Sequence, residues 1–412
     1  MRLKTLFDRL KKTASINLLR HLSQLLIGIV IARQLGVEDK GLHFVFTSIA
    51  ALVAILGSYG LINSIVFHSK KKYIDLTQVF KYVVLSLLIL SFTCGLLYLV
   101  GNEIIHVMLF GTETANSTVL WLFAAYTLSS LLNYFVNSYC LAFGRMSLYL
   151  FGFGFSSLFG LLLITLGASF FSFDIVDCLK VLVFIELVCG FFAFGIICKG
   201  KNENNIKDPK GFREVFDYAL KGYLGVSGST IISHGDSFVL SNVFSQELLG
   251  LYSIAKTLYR LFIIFPQTVN SVIFGVLCEL DIAKASKLVK KVSLGMGAVC
   301  ASIILGSVFF LESLIILIWG ESFSDAYRPA FILMFASMFV ASTAPINPLL
   351  LTQNKPLWSS KITIVSGFVG LIACVFLSIY VGLIGAAISV FISAAITSMM
   401  RLFYFKKIQR LN

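Results

Sequence analysis

Long apolar runs follow one another along almost the whole chain, separated by short polar segments. Most are at least 20 residues long, the length an α-helix needs to cross the hydrocarbon core of a bilayer. Twelve such runs can be marked, at residues 14–34, 41–66, 78–100, 118–142, 148–170, 178–198, 216–243, 247–277, 292–318, 326–351, 358–380 and 383–405. The pattern predicts an all-α integral membrane protein with about twelve transmembrane helices.

The composition agrees with this prediction and leaves little of the chain for a soluble domain. Of the 412 residues, 58% are hydrophobic and 13% are charged, whereas soluble domains carry about 25% charged residues. The polar segment 199–214 divides six runs from six. We therefore predict an N-lobe at 1–198, a linker at 199–214 and a C-lobe at 215–412, as in duplicated transporters whose pathway lies between two halves.

A weak internal repeat supports the division into halves. An offset of 209 residues places Gly41 on Gly250 and Leu42 on Leu251. Both places are predicted turns between an odd-numbered span and the next even-numbered one.

Basic residues indicate the orientation in the membrane. Most of the 33 lysines and arginines fall in segments on the same side as the N-terminus, including Arg401, Lys406, Lys407 and Arg410 at the end of the chain. Lysine and arginine close to span ends concentrate on the cytoplasmic side, so both termini are predicted to be cytoplasmic. The net charge of +13 then reflects this bias and contact with anionic membrane lipids, and does not indicate nucleic-acid binding.

Charged side chains also occur inside the predicted spans seven and eight. If 245–248 is a turn at one membrane face, Asp236 and Lys256 lie roughly 12 Å deep and Arg260 about 18 Å deep, at about 1.5 Å of rise per residue. A charge there costs about 2.5–3.5 kcal/mol on insertion scales, so such residues normally face a bundle interior or a water-filled cavity.

Two cations one helical turn apart on one face attract an anion, and arginine binds phosphate with two parallel hydrogen bonds. We therefore predict Arg260 and Lys256 as anion contacts, with Arg33, Tyr252 and Tyr259 as further candidates. Two interpretations of Asp236 stay open. It either forms an ion pair with Lys256 that locks the two helices together, or it belongs to a transport pathway.

Other polar residues within the spans complete the candidate site. Glu186 has no base within one turn and is either a proton- or cation-coupling residue or a hydrogen-bonded structural glutamate. Asn133 and Asn137 share one helix face, where amides either join helices or bind a ligand. Gln24 and His234 are further candidates for a polar cavity. The five histidines and eight cysteines are scattered, so the sequence predicts no metal site, no cofactor and no catalytic centre.

Two segments resemble the signatures of the Wzx-type polysaccharide flippases of the multidrug/oligosaccharidyl-lipid/polysaccharide (MOP) exporter superfamily. The first is ARQLGVEDKG at 32–41, followed by the Gly-Leu pair at 60–61, and the second is DSFVLSNVFSQELLGLYSIAKTLYRL at 236–261. The chain departs from the family at Ser237, where a base is common, and at Asn242, where a glycine is frequent. With the six-plus-six layout, the resemblance extends over essentially the whole chain.

The resemblance implies a MATE-like fold and a function in the bacterial inner membrane. Wzx flippases move undecaprenyl-diphosphate-linked oligosaccharide repeat units of O-antigen or related surface polysaccharides across that membrane, in lipopolysaccharide biosynthesis and similar pathways. The implied mechanism is alternating access between the two lobes, coupled to an ion gradient. A polysaccharide polymerase and a chain-length regulator are the implied protein partners.

Three alternatives remain. A multidrug or cation exporter of the same superfamily would prefer an acidic cavity with fewer central bases. The lipid II flippases usually have two further spans. A membrane-embedded polysaccharide polymerase would have a large outer loop or a concentrated catalytic site, and this sequence has neither.

Overall fold

A computed structural model describes residues 3–70, 73–100, 117–143, 145–170, 173–199, 211–277, 280–353 and 355–411. Nearly all of these residues are helical, and no β-strand occurs among them. The α-helices are α1 Leu3–Gln34, α2 Val37–Leu56, α3 Leu61–Lys70, α4 Leu76–Val100, α5 Ser117–Phe143, α6 Met146–Tyr149, α7 Ser156–Phe170, α8 Ile175–Cys198, α9 Phe212–Ser241, α10 Gln246–Leu277, α11 Ile282–Ser307, α12 Leu311–Trp319, α13 Tyr327–Thr343, α14 Ile346–Thr352 and α15 Pro356–Leu411. A π-helical segment, Leu150–Phe155, joins α6 to α7, and a 3-10 helix, Glu321–Ala326, precedes α13.

Ten stretches of the described residues are long and apolar enough to cross a membrane. One of them, Pro356–Arg410, contains the last two predicted spans, which meet at a kink where Gly382 has φ 66° and ψ −144°. Helix α9, the predicted seventh span, is not among the ten because its composition is more polar. The prediction of an all-α, multi-pass membrane protein is confirmed, whereas the count of twelve and the sidedness of the termini stay predictions.

The second predicted span consists of two helices, α2 and α3. The chain turns between them at Tyr59 and Gly60, whose φ angles are 48° and 74°. Positive φ is readily adopted by glycine. A Cβ atom at Gly60 would also meet the backbone carbonyl of Ala219 on α9, so a residue without a side chain is required here for two reasons.

The chain forms two compact units. The first unit contains Met1–Leu10, Gly36–Phe44 and Ile231–Asn412, and the second contains Lys11–Leu35 and Val45–Thr230. Helices α2 and α9 each have residues in both units. Most of the predicted linker at 199–214 lies outside the described residues, and the lobe boundary placed there stays a prediction.

Each unit has apolar core clusters of its own. In the first unit, one cluster joins α10, α11, α14 and α15 through residues such as Ile273, Val289, Leu349 and Tyr404. In the second unit, one cluster joins α2, α3, α4, α5 and α9 and includes Leu61, Val83, Leu131 and Val215. Many large apolar side chains on the spans are exposed, for example Phe92 and Phe170, as expected where lipid is the solvent.

Two glycines bring the first turns of α2 and α10 into backbone contact inside the first unit. A Cβ atom at Gly41 would meet the carbonyl oxygen of Gln246, and one at Gly250 would meet the carbonyl oxygen of Val37. Gly41 and Gly250 are 209 residues apart, and so are Val37 and Gln246. The two copies of the predicted repeat therefore make reciprocal contacts at this junction.

Candidate functional site

A buried acid–base cluster joins α9 and α10 in the first unit. The Tyr252 hydroxyl donates a hydrogen bond of 2.7 Å to Oδ2 of Asp236, and the Lys256 ammonium contacts the same oxygen. The backbone N–H of Ser237 donates to Oδ1 at 2.9 Å. The exposed fractions are 5% for Asp236, 2% for Lys256 and 0% for Tyr252, so these donors compensate a carboxylate that is withdrawn from solvent.

The sequence explains why these groups meet. Helix α9 ends at Ser241 and α10 begins at Gln246, so a short turn sends the chain back beside itself. Tyr252 and Lys256 are four residues apart and therefore lie on one face of α10. Asp236 on α9 and Lys256 on α10 lie at similar distances along their helices from this turn. The two predicted residues are therefore brought together in the structure.

Arg260 lies one turn beyond Lys256 and, unlike it, is exposed. Its Nη2 atom donates toward Nδ1 of His234 at 3.5 Å. The adjacent Tyr259 is buried, and the Lys256 ammonium lies 5.7 Å from the centroid of its ring. The two predicted cations are thus in different environments: Lys256 is buried against a carboxylate, and Arg260 is exposed.

Two further predicted residues belong to α1 in the second unit. Arg33 lies in the last turn of α1, and Gln24 lies nearer its middle. Both side chains are exposed.

A second polar cluster, in the second unit, surrounds Glu186 on α8. The Asn133 side chain on α5 donates from Nδ2 to the Glu186 carboxylate and, at 2.9 Å, to the Glu186 backbone carbonyl. A Cβ atom at Gly190, one turn further along α8, would lie 3.0 Å from Oδ1 of Asn133. Because Gly190 has no side chain, the Asn133 amide can pack against α8 at this position.

Arg20 on α1 is a member of this cluster that sequence reasoning did not connect with Glu186. It interacts electrostatically with the Glu186 carboxylate, and its guanidinium carbon lies 3.8 Å from the centroid of the Phe153 ring in the π-helical segment. One turn earlier, Asn17 accepts a hydrogen bond of 2.7 Å from the Tyr149 hydroxyl. The sequence offered one signal, because polar groups in a span normally face protein or water: the polar residues of the first span, Asn17, Arg20, His21, Ser23 and Gln24.

The two predicted asparagines are both buried, with 5% of Asn133 and 6% of Asn137 exposed. Their Oδ1 atoms accept no hydrogen bond from the part of the chain that the structure describes. Buried acceptors of this kind normally have a partner. Across the described ranges, no three or more histidine, cysteine, aspartate and glutamate residues form a group that could hold a metal ion.

The fold defines the class of protein: a multi-pass helical membrane protein whose architecture is similar to that of MurJ and MATE transporters. The lipid II flippase MurJ in its inward closed conformation superposes with a TM-score of 0.75 at 14% identity, over 95% of this chain and 86% of that chain. An inward-facing MATE multidrug resistance transporter of the MOP superfamily superposes with a TM-score of 0.68 at 14% identity, over 95% of both chains.

The family follows from the sequence. Residues 11–281 match the family described as polysaccharide biosynthesis protein, and the chain belongs to that family. A relative in Haloferax volcanii, described as the probable low-salt glycan biosynthesis flippase Agl15, is 22% identical over 397 residues, which cover 90% of this chain and 78% of that protein.

These relationships confirm the predicted resemblance. The chain is a multi-pass helical membrane protein of the polysaccharide biosynthesis protein family, and its fold is similar to that of MurJ and MATE transporters. Its relatives are flippases and transporters rather than enzymes, in agreement with the predicted non-enzymatic function.

Proposed function

We propose that this protein moves undecaprenyl-diphosphate-linked oligosaccharide repeat units, of O-antigen or a related surface polysaccharide, across the bacterial inner membrane. Family membership supports a lipid-linked glycan as the cargo. The movement proceeds by alternating access between the N-lobe at 1–198 and the C-lobe at 215–412. A polysaccharide polymerase and a chain-length regulator then act on the delivered repeat units.

One observation carries the choice of an anionic cargo: Arg260 presents an exposed guanidinium within a membrane-length helix. A diphosphate headgroup loses hydration when it enters a bilayer, and that loss is large for an uncompensated charge. A guanidinium offsets part of it with two parallel hydrogen bonds to phosphate oxygens.

Arg260 is proposed as the first contact for the diphosphate, ahead of Lys256, because Arg260 is exposed and Lys256 is buried. The Lys256 charge is already compensated by Asp236, so Lys256 can bind cargo only if that ion pair opens. Lys256, Tyr252, Tyr259 and Arg33 stay predicted cargo contacts, with the Asp236 cluster holding α10 against α9.

Ion coupling is proposed to pass through Glu186. Its carboxylate accepts a hydrogen bond from Asn133 on α5 and interacts with Arg20 on α1. Gain of a proton, or binding of a cation, would weaken the attraction to Arg20 and so change how α1 and α8 pack. Asn137 and Gln24 are proposed to line the same polar region.

A multidrug or cation exporter is the second candidate, because MATE transporters share the fold. A cationic cargo would be repelled by an exposed arginine in the pathway, whereas an anionic headgroup would be attracted. The effect of removing the Arg260 charge therefore separates the two.

The test is surface-glycan export in a host that lacks its own flippase and depends on this protein. Arg260→Ala should abolish export while membrane insertion stays normal, and Arg260→Lys should restore part of it. Arg328→Ala is the matched control, because Arg328 is an exposed arginine beside Tyr327 at the start of α13. Full surface glycan in the Arg260→Ala strain would contradict the proposal.

A further inference from the structure

Arg401, near the end of α15, differs from the basic residues that follow it. Its Nη1 atom is enclosed by protein, and no described residue accepts a hydrogen bond from it. Its electrostatic neighbour is Tyr259, the buried tyrosine next to Arg260 on α10. By contrast, Lys406, Lys407 and Arg410 further along the helix are exposed.

The position of Arg401 along its helix does not explain why its Nη1 atom is enclosed. Arg401 is about 28 Å beyond the kink at Gly382, at about 1.5 Å of rise per residue, which is close to the predicted inner boundary of the hydrocarbon. An arginine that only anchored the helix would extend its guanidinium toward the inner water. Side chains on helices lean toward the helix N-terminus. The group that interacts electrostatically with Arg401 is Tyr259, which lies about 20 Å from the start of α10.

Among the residues that the structure describes, no acid is shown to balance the charge of Arg401. The carboxylate of Asp236 already accepts from Tyr252, Lys256 and the Ser237 N–H. Tyr259, a neutral phenol, offers Arg401 no full negative charge. Enclosing a guanidinium N–H without an acceptor destabilises the folded protein. An anion that binds there during function would supply the acceptor.

We propose that Arg401 is a second phosphate-binding residue, which takes a phosphate oxyanion of the cargo headgroup on the inner side of the site that contains Arg260. This inference rests on the proposed function and extends it. One arginine for each phosphate group would favour a diphosphate over a monophosphate. The same chemistry could also be offered by an anionic phospholipid, so the experiment has to distinguish the two sources.

The experiment measures equilibrium binding of radiolabelled polyprenyl diphosphate to the full-length protein in phosphatidylcholine nanodiscs. Polyprenyl monophosphate and uncharged polyprenol are the comparison probes. Arg401→Gln should weaken diphosphate binding by at least about tenfold, reduce the preference over monophosphate and leave polyprenol binding unchanged. Arg401→Lys should recover part of the affinity, and Arg410→Gln, an exposed arginine on the same helix, should match wild type.

Three results would overturn the inference. If Arg401→Gln binds the diphosphate with unchanged affinity, Arg401 is not part of the site. If the glutamine variant does not fold, unchanged affinity in both Arg401→Lys and Arg401→Ala leads to the same conclusion. If added phosphatidylglycerol displaces the diphosphate from wild type but not from Arg401→Gln, the residue binds phospholipid instead. If Arg260→Gln weakens diphosphate binding and Arg401→Gln does not, the inference about Arg401 fails and the proposed function stands. If the wild-type protein does not bind the diphosphate, the proposed function itself is wrong.

Discussion

The ammonium of Lys256 contacts the carboxylate of Asp236 in a place that solvent scarcely reaches, with 2% and 7% of the two side chains exposed. A second ion pair, between Lys180 and Asp177, has an N–O distance of 2.8 Å but exposed side chains, at 56% and 40%. The two pairs have the same chemistry and opposite environments. They therefore allow the effect of burial on an ion pair to be measured within one protein.

Breaking the buried pair should destabilise the protein strongly. Lys256→Met leaves the Asp236 charge enclosed, and removal of one partner from a buried pair typically costs about 3–5 kcal/mol. The double variant with Asp236→Asn removes that charge and should recover much of the loss. Thermal unfolding of the purified variants in detergent measures both effects.

The exposed pair provides the control for this experiment. Asp177→Asn should leave the melting temperature unchanged, because exposed pairs contribute little. If Lys256→Met proves as stable as Asp177→Asn, the buried pair does not hold α9 and α10 together.

Much of the fold could be predicted because each long apolar run by itself indicates a membrane-spanning helix. The approach of Asp236 and Lys256 could also be foreseen, since a short turn puts both at the same depth. The approach of Arg20 to Glu186 could not be predicted. The polar residues on α1 indicate that this face meets protein or water, but they do not identify α8 as the neighbouring helix. Likewise the sequence places Arg401 only among the cytoplasmic basic residues, because its electrostatic interaction with Tyr259 joins two distant parts of the sequence.

Glu186 offers a test of ion coupling. Glu186→Gln keeps the shape of the side chain but cannot exchange a proton or attract a cation, so transport should fall well below that of Glu186→Asp. The measurement is translocation of a lipid-linked oligosaccharide in proteoliposomes, with imposed proton and sodium gradients applied separately. Equal rates for wild type and both variants would remove Glu186 from the coupling step.

Gly190 tests whether the Asn133–Glu186 contact matters for the same step. In Gly190→Ala the new methyl group would lie 3.0 Å from Oδ1 of Asn133, which is too close unless the asparagine moves. Transport should then fall to about the level of Asn133→Ala. Gly195→Ala on the same helix is the control, because a Cβ atom there meets no atom within 4 Å. Equal transport in Gly190→Ala and Gly195→Ala would show that the contact between Asn133 and Glu186 is dispensable.

The reciprocal junction of α2 and α10 gives the last prediction. In Gly41→Ala and Gly250→Ala the added methyl groups would run into the backbone carbonyls of Gln246 and Val37, and a backbone cannot yield as the end of a side chain can. Overpacking of this kind typically costs about 1–3 kcal/mol. Each variant should therefore melt at a lower temperature than wild type in detergent.

The control for the junction is Gly295→Ala on α11, where a Cβ atom meets no atom within 4 Å. This variant should be neutral or slightly stabilising, because alanine has a higher helix propensity than glycine by about 1 kcal/mol. The two junction variants should also lose stability to a similar extent, since the contacts are related by the repeat. If Gly41→Ala has the melting temperature of wild type, the backbones of α2 and α10 are not in contact at this junction.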